Sequence, residues 1–592
     1  MKRIGYALYL LSLIAISQNT VMAQDVGLGD GSDGALNYTG SSPINLYTAL
    51  TTSLPVSSTE IGVANATGFV SGDVILLWQV KTGPFVSGDL QAIDLAASNA
   101  GHYELQRITN INGNTISLET GTTHAYVGPG TQVVRVPEYT TVTVAGSEIL
   151  SPTAWDGTTG GIVAFLATET VTVDGAIDAS GLGSRGGQSS ESYAAYGYTC
   201  AQTCGDDTPT NILDSDCERG ITPATCAEGE GRRGEGLDNS DRSYDVINGC
   251  GRGNRATGGG GGGHVNAGGG GGGNGGSGGY GGNAWQGGCP AAGESGGLSG
   301  TAVTGSLLNY LTFGGGGGGG SQNNSNSGNG GAGGGAIFFR ANALNGTGSI
   351  RTNGGNGGAA SNDGGGGGGA GGSVLIQLVG DAACAGIEAN GGTGSDTSAG
   401  HGDGAGGGGG RIKIDSDTVS ACPTALTGGV GPSGHSFPSG GGDGLSGLQE
   451  SNDGAFGCTA NADCSNPTPY CNQAAHACEP CVAHSGCTED GLLICDEGSC
   501  VECVDDTDCS TGKSCNPSTN LCEPDSNGPT TDAGIGNDGG VDAGNPGSTG
   551  GIAGGSGCAI GNTSSTTVFS MWVALVLIAL LRRRITRTSS RS

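Results

Sequence analysis

The sequence predicts a mostly β protein with four parts: an N-terminal β domain, a glycine-rich β-solenoid with a disulfide-rich insertion, small disulfide-rich repeats, and a single C-terminal transmembrane helix. Three observations predict it. Glycine supplies 128 of 592 residues and charged residues only 13%. Short apolar strands return behind Gly-Gly pairs at a near-constant period, and twelve cysteines between Cys458 and Cys522 form a repeat of their own. Almost no stretch has the 3.6-residue apolar spacing of an amphipathic helix.

At the front, Lys2 and Arg3 precede the apolar run Ile4–Ile16, and Val21-Met22-Ala23 supplies small residues at a cleavage site. Residues 1–23 therefore read as a signal peptide, and 24–40 as a linker. Residues 41–150 have ordinary globular composition and form the N-terminal β domain. Val74–Trp78 is a strand entered through the turn Ser71-Gly72-Asp73. Tyr103–Thr109 and Asn114–Leu118 form a hairpin over Asn112-Gly113. Gln132–Val136 and Thr140–Val144 are two more strands, separated at Pro137.

Residues 151–440 carry the solenoid signal. Gly160-Gly161, Gly334-Gly335, Gly371-Gly372 and Gly409-Gly410 each lead into an apolar strand, and the last three starts lie 37 and 38 residues apart. Second short strands centre on Ile177, Ile350 and Ile387, and glycine runs such as Gly364–Gly369 and Gly406–Gly410 follow. One such coil cannot bury its apolar face alone, so stacking on the next closes the core. Cys384 and Cys422, one repeat apart, are placed to bridge neighbouring coils. The glycine runs emerge as arms, either disordered or packed as three-fold polyglycine helices in which the missing Cβ permits close backbone contact. An insertion at 185–329 separates the first coil from the rest. It holds Cys200, Cys204, Cys217, Cys226, Cys250 and Cys289 with the tracts Gly258–Gly263 and Gly314–Gly320, and reads as a disulfide-stapled loop domain.

Residues 458–523 are three units of four cysteines: Cys458, Cys464, Cys471 and Cys478; Cys481, Cys487, Cys495 and Cys500; Cys503, Cys509, Cys515 and Cys522. Units this short have no hydrophobic core, so two bridges each must hold them, with three connectivities open. Zinc competes at Cys478-x2-Cys481 and Cys500-x2-Cys503, which have ligand spacing, but exported thiols meet oxidants first. Residues 524–557, rich in Gly, Asp, Thr, Ser and Pro, are a disordered stalk. In the tail, 558–592, the apolar stretch Val568–Leu581 lies in a span at 566–581 that is shorter than the ~20 residues that cross a bilayer comfortably, and Arg582, Arg583 and Arg584 follow it.

Charge and cysteine usage agree with export. Seven of the 22 basic residues sit in the two ends (Lys2, Arg3, Arg582, Arg583, Arg584, Arg587, Arg591), which leaves 15 against 53 acidic residues and a charge of −38 on the body between them. Such a surface repels nucleic acid, which requires clustered Lys and Arg. Of the 21 cysteines, Cys558 alone falls outside an even group. Gly557-Cys558, the apolar span and Arg582–Arg584 resemble the tripartite C-terminal sorting tail of myxobacterial surface proteins. The resemblance implies cleavage near Gly557-Cys558 and display on the outer surface, with Cys558 as a lipid attachment site. The cysteine array resembles short modules of bacterial surface stalks, and the N-terminal segment a module found ahead of glycine-rich regions in envelope proteins.

Chemistry is sparse. Seven histidines (His102, His124, His264, His401, His435, His476, His484) form no H-E-x-x-H. Gly275–Gly279 and Gly293–Gly297 match G-x-S-x-G, a match that glycine saturation produces by chance. Gly391–Asp396 begins like a calcium-binding nonapeptide but has Ser398 at the apolar position, so calcium is the one cofactor considered and none is expected. No phosphate loop has its lysine. The sequence therefore points to a surface-anchored structural or adhesive protein without catalytic activity, touching the membrane through its tail and envelope polysaccharide or other surface proteins through its body. Two other readings stay open: a polysaccharide-acting enzyme using acids such as Asp174 and Asp178, and a ligand-binding receptor using the insertion.

Overall fold

A computed structural model describes residues 26–524 except 190–230, 240–250, 284–294, 458–469 and 480–493, with shorter breaks at 41, 84, 86–88, 264–265, 323–325, 398–400, 433–439, 473–476, 497–498, 511–512 and 517–518. Among the described residues there is no α-helix; helical turns are confined to the 3-10 segments Leu95–Ala97 and Asp506–Asp508.

The solenoid is present and is parallel throughout. Its first coil is Ile162–Val173 with Ala176–Asp178, its second Ala336–Asn345 with Ser349–Arg351, its third Ser373–Leu378 with Gly386–Glu388, and its fourth Arg411–Asp415 with Thr424–Ala425. Long strands stack into one sheet and short strands into another. Register holds from coil to coil: Phe165 faces Phe339, Phe339 faces Ile376, and Ile376 faces Ile414. The two phenylalanine rings stack 4.9 Å apart. Ile177, Ile350 and Ile387 close the core from the short-strand side, fully buried. Cys384 and Cys422 are bridged and tie the third coil to the fourth.

The solenoid begins earlier than the glycine signal indicates. Glu138–Val144 pairs in parallel with the first coil, and Gly34–Tyr38, inside the segment read as a linker, pairs in parallel with Glu138–Val144. Thr140–Val144 therefore belongs to the solenoid sheet. Pro137 marks the crossing point: Thr131–Val136 before it lies in the antiparallel N-terminal sheet, ordered Tyr47–Ala49, Thr131–Val136, Val74–Gln79, Tyr103–Asn112, Thr115–Leu118, Glu60–Gly62. The hairpin expected around Gly113 is there, with Gly113 at φ +60.

These two sheets share a core. The outward residues of the long solenoid strands, Ile162, Ala164, Leu166, Ala336, Phe338 and Leu375, pack on Val74, Leu76, Trp78, Val134 and Val136. A strap from the insertion closes the joint: Trp78 donates to Leu311 O (2.8 Å), and Trp78 and Phe313 rings meet edge to face at 4.7 Å. A parallel sheet covered on both faces explains why runs such as Ile162–Ala167 are continuously apolar rather than alternating.

The glycine arms are packed. Along Gly314–Gly320 successive N–H groups bond to three different neighbours in rotation. Gly314, Gly317 and Gly320 donate to Gly334, Gly331 and Gly328; Gly315 and Gly318 donate to Gly273 and Gly270; Gly316 and Gly319 donate to Glu235 and Arg232, all at 2.8–3.0 Å. Three residues per turn is the polyproline II repeat. The tracts of the insertion and the arms of the coils interleave: Gly367 donates to Gly318, and in the next arm Ala405 donates to Gly269. The described parts of the insertion thus extend the lattice of arms, while the six cysteines expected to staple it lie outside the described residues.

The cysteine units are hairpins. Cys471 faces Cys478, Cys495 faces Cys500, and Cys515 faces Cys522 across paired strands. In the third unit Cys503 bonds Cys515 and Cys509 bonds Cys522, which selects first-to-third and second-to-fourth from the three connectivities.

Candidate functional site

The solenoid places equivalent residues in columns one coil apart. At the end of the short-strand sheet the first column is charged: Asp178, Arg351 and Glu388 are register partners, and Arg351 bonds Asp178 through Nε (3.1 Å) and Nη2 (2.8 Å). Asn353 Nδ2 reaches Glu388 Oε2 at 2.9 Å. Two residues on comes a column of hydroxyls and amides. Ser180 Oγ accepts from Asn353 N (3.0 Å), Asn353 Oδ1 from Asn390 N (2.8 Å), and Asn390 Oδ1 from both Thr427 N and Thr427 Oγ1 (2.9 Å each). Three residues further, on the glycine arms, Asn356 Oδ1 accepts from Thr393 N at 2.9 Å. Asn356, Thr393 and Thr427 are exposed, Asn353 and Asn390 half-buried.

Ser180, Asn353, Asn390 and Asn356 each accept from a backbone N–H of the following coil, which fixes their orientation. Chemically the face offers amide donors and hydroxyls in a grid. Spacing between coils is about 4.8 Å, and along the arm three polyproline II residues advance about 9.3 Å. The acids weighed for catalysis are committed elsewhere: Asp174 Oδ1 accepts from Thr347 N (3.1 Å), and Asp178 carries Arg351. Glu388, the register partner of Arg351, and the asparagines carry no motif that marks them in the sequence. Their signal was the 37-residue separation that also spaces the strands.

Other charged groups serve packing. Glu235, buried at the joint, is paired with Lys81 and Arg185 and accepts from Trp155 Nε1 (3.1 Å). Burial pushes its carboxyl up, but Lys81 and Arg185 outweigh this and hold it below the ordinary value. Fully buried Arg411 binds Tyr310 O (2.9 Å) and Glu450 (3.2 Å), and burial lowers its pKa to about 10. His102 is stacked between His124 (4.2 Å) and Tyr310 (5.0 Å).

Gly557, Cys558, Arg582, Arg583 and Arg584 lie outside the described residues, as do Cys200, Cys204, Cys217, Cys226, Cys250, Cys289, Cys458, Cys464, Cys481 and Cys487. The span 566–581 is outside them too; among the described residues no helix is long and apolar enough to cross a membrane. Cys495 and Cys500 are disulfide-bonded. The described residues bring together one group of three metal-ligand side chains, Cys503, Cys509 and Cys522, and all three sulfurs are in bridges. Gly275–Gly279 is a rod of the glycine lattice, with Gly276 donating to Gly409 and Gly279 to Gly406, so Ser277 sits on no strand-to-helix elbow.

No protein-family model matches the chain, and no curated protein matches it. Among solved structures it has a faint likeness to three phage tailspikes. The tailspike of Pseudomonas phage phi297 is 16% identical with TM-score 0.13, over 22% of this chain and 19% of that one. The tailspike of Acinetobacter baumannii bacteriophage AP22, solved with a capsular saccharide of its host, is 13% identical with TM-score 0.14, over 22% and 21%. That of Pseudomonas phage LKA1 is 17% identical with TM-score 0.13, over 23% and 22%. The chain spans about a fifth of the length of each of these tailspikes. Likeness at this level specifies neither a shared ligand nor a shared reaction.

Proposed function

We propose that this is a cell-surface protein with a structural and adhesive role and no catalytic activity, held at the membrane by its C-terminal tail. The observation that carries the reading is the commitment of the solenoid's polar side chains to its own scaffold. Asp174, Asp178 and Arg351 are bonded within the columns, and the glycine arms convert a side-chain-poor sequence into a hydrogen-bonded slab. A rigid body that spends its acids on register suits display better than turnover. The signal segment at 1–23, the stalk at 524–557 and the tail with Gly557-Cys558 and Arg582–Arg584 supply export, reach and anchorage, with the outer surface as the destination.

The test is cell attachment to a solid surface with and without the gene, together with mass spectrometry of the mature C-terminus. Loss of attachment on deletion and a processed, lipid-bearing Cys558 are expected. Turnover of any member of a polysaccharide panel by the purified chain would instead favour the enzymatic reading.

A further inference from the structure

We propose that the laddered face of the solenoid is a binding surface for an uncharged polysaccharide, laid along the columns so that successive sugars meet successive coils. The inference deepens the adhesive reading above and rests on it. Asn353, Asn356 and Asn390 use their Oδ1 atoms to hold the backbone of the next coil. Asn353 spends its Nδ2 on Glu388, whereas the Nδ2 groups of Asn356 and Asn390 find no acceptor among the described residues. Two amides with locked orientation therefore present N–H donors to solvent, next to the exposed Thr393 and Thr427. Groups already fixed lose little rotamer freedom on binding.

Charge selects the class of partner. Within the face, Arg351 is matched by Asp178 and lies one coil from Glu388, so its fixed charges are largely neutralised internally. The body around it carries −38. A polyanion is repelled by that field, and the internally matched charges of the face give a polycation no anchor of its own there. What the grid itself offers is neutral donors and acceptors repeated along one axis. A hydroxyl-bearing polymer repeats its own groups in the same way, and weak contacts then add through effective concentration.

The experiment uses the purified full-length chain in affinity electrophoresis through gels holding dextran, mannan, galactan or, as the polyanionic arm, alginate. Retardation by at least one neutral polymer is expected, with none by alginate. The double variant Asn356→Asp and Asn390→Asp keeps each Oδ acceptor that holds the next coil but removes both outward donors. It is expected to weaken retention by on the order of tenfold, through the loss of two hydrogen bonds. Asn65→Asp, on the N-terminal domain, should leave retention unchanged, and circular dichroism should show all three proteins equally folded. Absence of retardation by every neutral polymer, preference for alginate, or full retention by the double variant each overturns the proposal. Cells expressing that double variant separate the two readings: undiminished attachment ends the glycan inference and leaves the adhesive role standing, while attachment unaffected by gene deletion removes the adhesive role itself.

Discussion

At the scale of single residues, two different demands are met by glycine, and they predict different costs. In the packed arms the backbone φ is not positive; what forbids a side chain is proximity. A Cβ on Gly318 would lie 1.9 Å from Gly260 O and 2.5 Å from its carbonyl carbon, both backbone atoms that cannot swing aside. Gly318→Ala is therefore expected to cost about 3 kcal/mol or more, the upper end of overpacking, read as a lower urea midpoint. Gly113 has open space around its Cβ position but φ +60, so Gly113→Ala should cost only the left-handed strain of ~1–2 kcal/mol. Equal costs at the two sites would show that the arms are looser than their hydrogen bonds imply. His102 gives a second prediction. Burial, and secondarily the His124 charge, push its pKa down to about 4, and its Nδ1 has no hydrogen-bond partner. The unfolded chain takes up this proton first, near pH 6.5, so the histidine's contribution is complete above that value and is lost as pH falls toward 4. His102→Phe preserves a ring between His124 and Tyr310 and abolishes the titration. Its stability should fall less than that of the wild type between pH 7 and 4.5; parallel losses would assign the acid sensitivity to other groups.

At the scale of elements, disulfides and columns set the expectations. The third cysteine unit joins Cys503 to Cys515 and Cys509 to Cys522, and all three units place their third and fourth cysteines opposite each other on a hairpin. Equivalent chemistry in equivalent spacing predicts Cys481–Cys495 with Cys487–Cys500, and Cys458–Cys471 with Cys464–Cys478. Peptide mapping under non-reducing conditions checks this, and a Cys495–Cys500 peptide would contradict it. Mild reduction should unfold these units, which have no apolar core, yet leave the parallel coils intact by circular dichroism. Cys384–Cys422 is a different case, because it reinforces coils already hydrogen-bonded; replacing both by alanine should cost about 2–4 kcal/mol without loss of fold. Much of this was legible in the chain. The 37-residue period exposed the second, third and fourth coils, and Asn112-Gly113 exposed its hairpin. Gly34–Tyr38 was missed because its partner, Glu138–Val144, is more than a hundred residues away and no glycine pair introduces it. Buried Arg411 and Lys413 were equally opaque: alternating charge suggests a solvated face, whereas Glu450 and Asp453 come from beyond the repeat to pair them. The polar columns lay in plain view at the strand period, but their side chains change identity from coil to coil, from Asp178 to Arg351 to Glu388, so similarity of residue type did not reveal them.

At the scale of the whole molecule, the division into an N-terminal domain and a solenoid describes topology and not folding. The N-terminal sheet and the long-strand sheet bury one another: Val74, Leu76, Trp78 and Val136 on one side, Ile162, Leu166, Phe338 and Leu375 on the other, every one of them at most 1% exposed. The strap reinforces the joint from a third direction, since Tyr103 donates to Leu307 O (3.1 Å) and Leu308 O (3.0 Å) while Arg411 of the fourth coil binds Tyr310 O. Removing the N-terminal sheet would uncover a contiguous apolar face several strands wide, far beyond the scattered exposure that monomeric proteins tolerate. It would also leave Glu138–Val144 without the strand that feeds it and Glu235 without Lys81. A fragment spanning residues 137–457, which keeps Glu138–Val144 but not the N-terminal sheet, is thus expected to aggregate or to lack the native β signal. The intact chain should lose its N-terminal and solenoid signals in one thermal transition, followed for instance by tryptophan fluorescence and far-ultraviolet circular dichroism together. A soluble, monodisperse fragment with native-like β signal, or two separated transitions in the intact chain, would show that the shared core is a contact between independent domains. A single transition would mean that the glycine lattice, poor as it is in side chains, borrows its stability from the apolar joint, to which the strap Leu311–Phe313 connects it directly.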